Sequence, residues 1–230
     1  MPNIFNEEKF IVANLKQSGN LESSRKWITD FKASISKIDL KVNVVICPPY
    51  PFLDLFRNEL ILDKAINKGR LFLGSQNVSS NSNLENTGEV GAENINDLVN
   101  FSIIGHSERK ENFDEVTKKY QNCINNKIVP VVCFYENKRV FELSNCMFAY
   151  EDPKAISQDG VFKEKSFDEM MAIVTELKDL FTDKTILYGG SVNKENIQTI
   201  KNLEFFNGVL VGRVSLNPQD FAELIALFNA

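Results

Sequence analysis

The only histidine of the chain, His106, lies in the stretch Phe101-Ser-Ile-Ile-Gly-His-Ser-Glu-Arg109, directly after a glycine and two residues before Glu108. The apolar run that stops at Gly105 reads as a buried strand. The spacing of Phe113, Val116, Tyr120 and Ile124 predicts a helix soon afterwards, so His106 falls where a strand gives way to a helix. Parallel α/β folds carry their reactive groups at such points. A lone histidine is more often structural than catalytic, but the glycine and the two flanking charges of opposite sign move the balance toward proton chemistry. Other polar groups fall at comparable positions after apolar runs: Asn14 and Lys16, Glu151, Gly189-Gly190-Ser191, and Gly212-Arg213. The two glycine-bearing loops offer backbone N–H groups, which can hold a phosphate without net positive charge when a helix starts behind them.

These groups need elements that bring them together. Short apolar runs predict strands at 10–14, 41–47, 71–76, 101–104, 129–134, 146–150, 185–188 and 208–211. Segments of helical period fall between them, at 21–38, 51–62, 92–98, 113–124, 166–181, 193–201 and 217–228. Ser166 and Glu169 form a capping box, and Asn217 followed by Pro218 marks the last helix start. Strands that alternate with helices and read as continuous apolar runs predict one closed (β/α)8 barrel spanning residues 1–230, with an open doubly wound sheet as the alternative. A barrel gathers all the polar groups above on the face formed by the strand C-termini. The unit between the fifth and sixth strands is shortened, with room for a turn or two of helix.

Composition narrows the function classes. The formal charge of −5 and the absence of a basic cluster argue against nucleic-acid and anionic-membrane partners. The longest apolar runs are too short to span a bilayer, and nothing resembles a signal peptide. Cys47, Cys123, Cys133 and Cys146 are scattered without a C-x-x-C pair, which suggests a reduced cytoplasmic setting.

The stretches ANLK (13–16), SQN (75–77), TGE (87–89), IIGHSER (103–109), AYE (149–151), YGGSVN (188–193) and LVGRVSL (210–216) together resemble the triosephosphate isomerase family, in the same order over essentially the whole chain. The resemblance implies a cofactor-free, metal-free interconversion of dihydroxyacetone phosphate and glyceraldehyde 3-phosphate. It implies Glu151 as base, His106 as electrophile, Lys16 as electrostatic catalyst with Asn14 beside it, and Glu108 as the acid behind them. Ser157, Gly190, Ser191, Gly212 and Arg213 match phosphate-binding positions. The long polar loop from Asn77 to Gly91, whose Thr87-Gly88-Glu89 resembles the tip that reaches into a second subunit, implies a homodimer. Two other readings stay open: a degenerate relative that binds phosphorylated metabolites without turnover, and an isomerase of a related phosphorylated sugar.

The chain also departs from the family pattern. Asp152-Pro153-Lys154 follows the base where the family has Pro, an aliphatic residue and Trp, Ser157 replaces a glycine, and Arg213 replaces the second glycine of the last loop. Asp152 places a like charge beside Glu151, which is expected to raise the pKa of the base unless Lys154 or Arg213 compensates.

Overall fold

The computed structural model describes residues 8–136, 138–155 and 164–229. Its eight strands are β1 (Phe10–Asn14), β2 (Asn43–Cys47), β3 (Leu71–Ser75), β4 (Phe101–Ile104), β5 (Val129–Phe134), β6 (Met147–Tyr150), β7 (Ile186–Tyr188) and β8 (Gly208–Val211). Each pairs in parallel with the next, and β8 returns to β1, closing the barrel. Phe10 lies opposite Asn43 on one side and Gly208 on the other, so β1 is the seam. Successive side chains of a strand point to opposite faces. Phe10 and Val12, Val45 and Cys47, Phe101 and Ile103, and Val131 and Cys133 fill the barrel interior. Their alternates, among them Ile11, Val44, Ile104 and Val132, pack outward beneath the helices. Both faces are dry, which is why the strands read as unbroken apolar runs.

The helices are α1 (Leu21–Ile35), α2 (Leu53–Phe56, continued by a π-helical turn Arg57–Ile61), α3 (Phe113–Asn125), α4 (Phe167–Leu177), α5 (Ile197–Asn202) and α6 (Pro218–Asn229). Both expected caps form. The Ser166 hydroxyl accepts from Glu169 N at 3.3 Å while the Glu169 carboxylate accepts from Ser166 N, and Asn217 Oδ1 accepts from Asp220 N at 3.0 Å. The indole of Trp27 on α1 donates to Ser215 O at 3.0 Å, fixing the turn after β8 from beneath.

Two helical expectations are corrected, and the shortened fifth unit is as expected. The segment 92–98 holds only a 3-10 turn, Ala92–Asn94: Asn94 caps its start by accepting the Gly91 N–H, but the backbone leaves helical geometry at Ile95. The fifth unit carries a single 3-10 turn, Lys138–Glu142. The helix expected from Asn193 becomes regular only at Ile197; the turn before it is capped by Asn193 Oδ1, which accepts from Glu195 N and Asn196 N at 3.0 and 2.9 Å.

Candidate active site

The C-terminal ends of β1, β4, β6, β7 and β8 meet around a cavity of about 160 Å³, whose wall includes Asn14, Lys16, His106, Glu151, Gly190, Ser191, Gly212 and Arg213. Residues from five separate strand ends, distant in sequence, are thus brought together. Glu108 stands just behind the cavity through its ion pair with Lys16. Ser157 lies outside the described residues.

Gly105 delivers His106. Its φ of +71° is costly for any residue with a side chain, and a Cβ there would approach Cys133 O to 2.9 Å. The chain can therefore turn sharply over β5 and bury the imidazole, which is 7% exposed. His106 Nδ1 accepts the Glu108 N–H at 3.2 Å, which leaves Nε2 to carry the proton and face Glu151 Oε1 at 3.1 Å. The other oxygen, Glu151 Oε2, accepts the Ser107 N–H at 3.1 Å. The carboxylate is 3% exposed, and a Cβ on Gly189 would lie 2.8 Å from its Cγ, so only glycine lets the β7 loop pass this close.

Lys16 has a left-handed backbone, φ +52°, which a non-glycine residue keeps only when its surroundings enforce it. Two side chains do so. Asn14 Oδ1 accepts the Lys16 N–H at 3.0 Å, and Gln76 Nε2 donates to Lys16 O at 2.8 Å and to Cys47 O at 2.9 Å. Beneath the His106 loop a further network ties β4 to α3: Glu111 accepts the Gly105 N–H at 3.1 Å, pairs with Arg109, and pairs with Lys119 at 2.5 Å, and Lys119 in turn reaches Asn77 Oδ1 at 2.7 Å. Gln76, Glu111 and Lys119 were not among the expected site residues. A polar side chain directly after an apolar run could have flagged Gln76, whereas nothing local marks the other two.

Desolvation of His106 favours the neutral ring, but the hydrogen bond and charge of Glu151, with the charge of Glu108, outweigh it and hold the imidazole above its ordinary pKa. Glu108 is also partly desolvated, yet Lys16 keeps its carboxyl below the usual range. Because the chain has one histidine, a single imidazole resonance reports this balance. Glu151→Gln removes the largest raising influence, so the His106 midpoint followed by NMR is expected to fall, and an unchanged midpoint would mean that the two side chains do not meet.

Asp152 meets compensating positive charge. Burial alone would raise its pKa, but Lys165 at 2.7 Å and the Lys154 N–H at 2.8 Å lower it and neutralise its charge. The compensating cation is Lys165, with Lys154 contributing through its backbone and its charge and Arg213 not among the causes. Ser191, expected to offer N–H to a phosphate, donates both its N–H and its hydroxyl to Ala155 O at 2.7 Å. Behind this loop stands a turn capped by Asn193, and regular helix begins only at Ile197.

A larger cavity of about 480 Å³ lies beside Glu151, between α3 and the short β5–β6 connection. It lacks Lys16, His106 and the glycine loops, so size does not mark the chemistry. Thiol catalysis is also disfavoured, since all four cysteines are free and buried and burial pushes Cys123 and Cys146 up to about 12. No helix among the described residues is long and apolar enough to cross a membrane.

The sequence profile of the family described as Triosephosphate isomerase matches residues 9–228. The triosephosphate isomerase of Mycoplasma mobile is 30% identical, over 95% of this chain and 99% of that one. That of Polynucleobacter asymbioticus is 30% identical over 92% and 96% of the two chains, and that of Mycoplasmopsis pulmonis 28% identical over 96% and 97%. The crystal structure of triosephosphate isomerase from Bartonella henselae shares the fold, with a TM-score of 0.77 over 97% of this chain and 100% of that chain at 21% identity. A closed eight-stranded parallel barrel, a buried Glu–His pair at its mouth and sequence similarity along its whole length place this chain in the triosephosphate isomerase family.

Proposed function

We propose that the chain interconverts dihydroxyacetone phosphate and D-glyceraldehyde 3-phosphate, moving a proton between adjacent carbons through an enediolate, with no cofactor. The observation that carries this reading is the buried contact of Glu151 with His106 under the glycine loops of β7 and β8. Shifting a carbonyl by one carbon requires removal of a proton from the carbon beside it and its return to the neighbour, and one carboxylate that reaches both carbons can do both. Glu151 is that base. It rests on two donors, the Ser107 N–H and His106 Nε2–H, and must exchange them for the substrate carbon.

That exchange frees the Nε2–H of His106 to donate to the oxygens on which charge develops. Neutral histidine is the assignment the family resemblance implies rather than one deduced from these distances, and the Glu108 N–H aimed at Nδ1 favours it. Once the substrate draws Glu151 away, the interaction that raises the imidazole pKa weakens and burial favours the neutral ring. Lys16, paired with Glu108 and set by Asn14, supplies positive charge to the same oxygens. We assign the phosphate to the loop N–H groups around Gly190, Ser191 and Gly212, with Arg213 at the rim and Ser157 as a further contact. Ser191 must leave Ala155 O to take part.

A coupled assay with each triose phosphate on purified protein tests the reading. Turnover in both directions supports it, whereas binding without turnover would make the chain a degenerate relative. Preference for another phosphorylated sugar would move the substrate assignment. The four free, buried cysteines favour a cytoplasmic setting.

We further propose a homodimer through the loop 77–91. Its base is fixed by Ser79 N to Val90 O at 2.8 Å and by Asn122 to Ser79 O at 3.0 Å, while Leu84 at its tip is fully exposed. A long loop anchored at its base that presents an apolar tip to solvent suits insertion into a second copy. Sedimentation at micromolar concentration is expected to give a dimer, and Leu84→Asp to shift it toward monomer with loss of activity. A fully active parent monomer would refute the assignment.

A further inference from the structure

We propose that Asp152 and Lys165 form a clasp that positions the catalytic carboxylate, making both of them positioning residues for the isomerase reaction; this rests on the reading of Glu151 as base. The two residues stand on either side of the segment between β6 and α4, and their charges meet at 2.7 Å with side chains 6% and 15% exposed. A buried carboxylate immediately after the base would be costly without a partner. Here it is the centre of a continuous chain of bonds. Asp152 Oδ2 holds Lys165, Oδ1 accepts the Lys154 N–H at 2.8 Å, and its backbone O accepts the Ala155 N–H at 2.8 Å. Ala155 O then accepts from the N–H and hydroxyl of Ser191 on the β7 loop. On the other side, Glu151 N donates to Phe134 O at 2.8 Å and Gly189 N donates to Tyr150 O at 2.8 Å.

Glu151 is thus held between a β5 anchor and the clasp, and its side-chain direction depends on both. The groups that feel the Asp152 charge are Lys165 and Lys154, the hydroxyls of Tyr150 and Tyr188, and Glu169 at the start of α4. Both tyrosines are pushed up, first by burial and then by Asp152, so they stay neutral and leave Lys165 as the side-chain cation hydrogen-bonded to this carboxylate.

The test is a double-mutant cycle with two independent readouts. Asp152→Asn and Lys165→Met are each expected to lower kcat about tenfold to a hundredfold, the scale set by small misplacement of a reacting group. The double variant, which restores charge balance, is expected to be no worse than either single variant, and Lys165→Arg to recover part of the loss. The second readout is the NMR titration of His106, which reports its contact with Glu151 without turnover. In the charge-balanced double variant its midpoint is expected to fall toward that of Glu151→Gln. Mere loss of stability would lower the folded fraction and leave that midpoint in place. Additive effects on kcat, or a parental His106 midpoint in the double variant, overturn the clasp. A parent inactive on triose phosphates overturns the reading of Glu151 instead, and the His106 titration still decides the clasp.

Discussion

Glu151→Gln is expected to lower kcat by about 10³- to 10⁴-fold, the upper part of the range that a positioned general base contributes, while the barrel stays folded. The amide has the shape of the carboxylate and cannot accept a proton from carbon, so the loss falls on the chemical step and KM moves little. The local geometry adds a structural consequence. The carboxylate accepts two donors, Ser107 N–H on one oxygen and His106 Nε2–H on the other. An amide has one acceptor oxygen, so one donor then faces an NH2 group. His106 cannot relieve this by changing tautomer, because Nδ1 already faces the Glu108 N–H. A cost of roughly 1–3 kcal/mol in stability is therefore expected, as for a buried group left without its partner. Steady-state kinetics with thermal melts by circular dichroism read both effects. Turnover within tenfold of the parent would remove Glu151 from the mechanism.

The legible parts of the molecule are those governed by local pattern. All eight strands were legible because both of their faces are buried, so the apolar run is unbroken and the turn after it is sharp. That His106, Glu151 and the two glycine loops gather at one cavity could be read because each stands where such a run stops. What escaped depends on residues far apart in sequence. Gln76 matters because it bridges Lys16 O and Cys47 O, and Lys119 because it joins Glu111 to Asn77. Gln76 carried only the weak mark of following an apolar run, and nothing local marks Lys119 until the barrel closes. Lys165 is the clearest case: the excess charge of Asp152 was visible, but its partner lies across the segment that follows β6, beyond the reach of any local spacing rule. The asparagine-rich stretches misled for a different reason. At Asn94 and Asn193 the side chains form genuine caps, but the turns they cap do not continue at once as regular helix, so cap and apolar spacing together overstated the helices.

Lys16→Met is expected to lower kcat/KM by about 10²- to 10³-fold, the range found when one preorganised charge donor is removed from a developing oxyanion. Its effect should differ in kind from that of Glu151→Gln. The substrate phosphate is charged before the reaction and the enediolate only during it, so a cation facing both contributes to binding and to the chemical step. KM should rise and kcat should fall together. The root of the Lys16 side chain is fixed, because its backbone is held at φ +52° by Asn14 and Gln76, and the ammonium is directed by its ion pair with Glu108. Lys16→Arg should therefore recover only part of the loss: the guanidinium keeps the charge but spreads it over a planar fork that a point-charge site does not match. Removing Lys16 also releases Glu108, whose carboxyl is held below its usual range mainly by that lysine, and the freed acid leaves extra negative charge near the phosphate. Replacing Glu108 by Gln in the Lys16→Met background should then lower KM again without restoring kcat. Measuring kcat and KM separately across these four variants at fixed ionic strength decides the matter, and a Lys16→Met enzyme with parental kcat would confine the lysine to substrate binding.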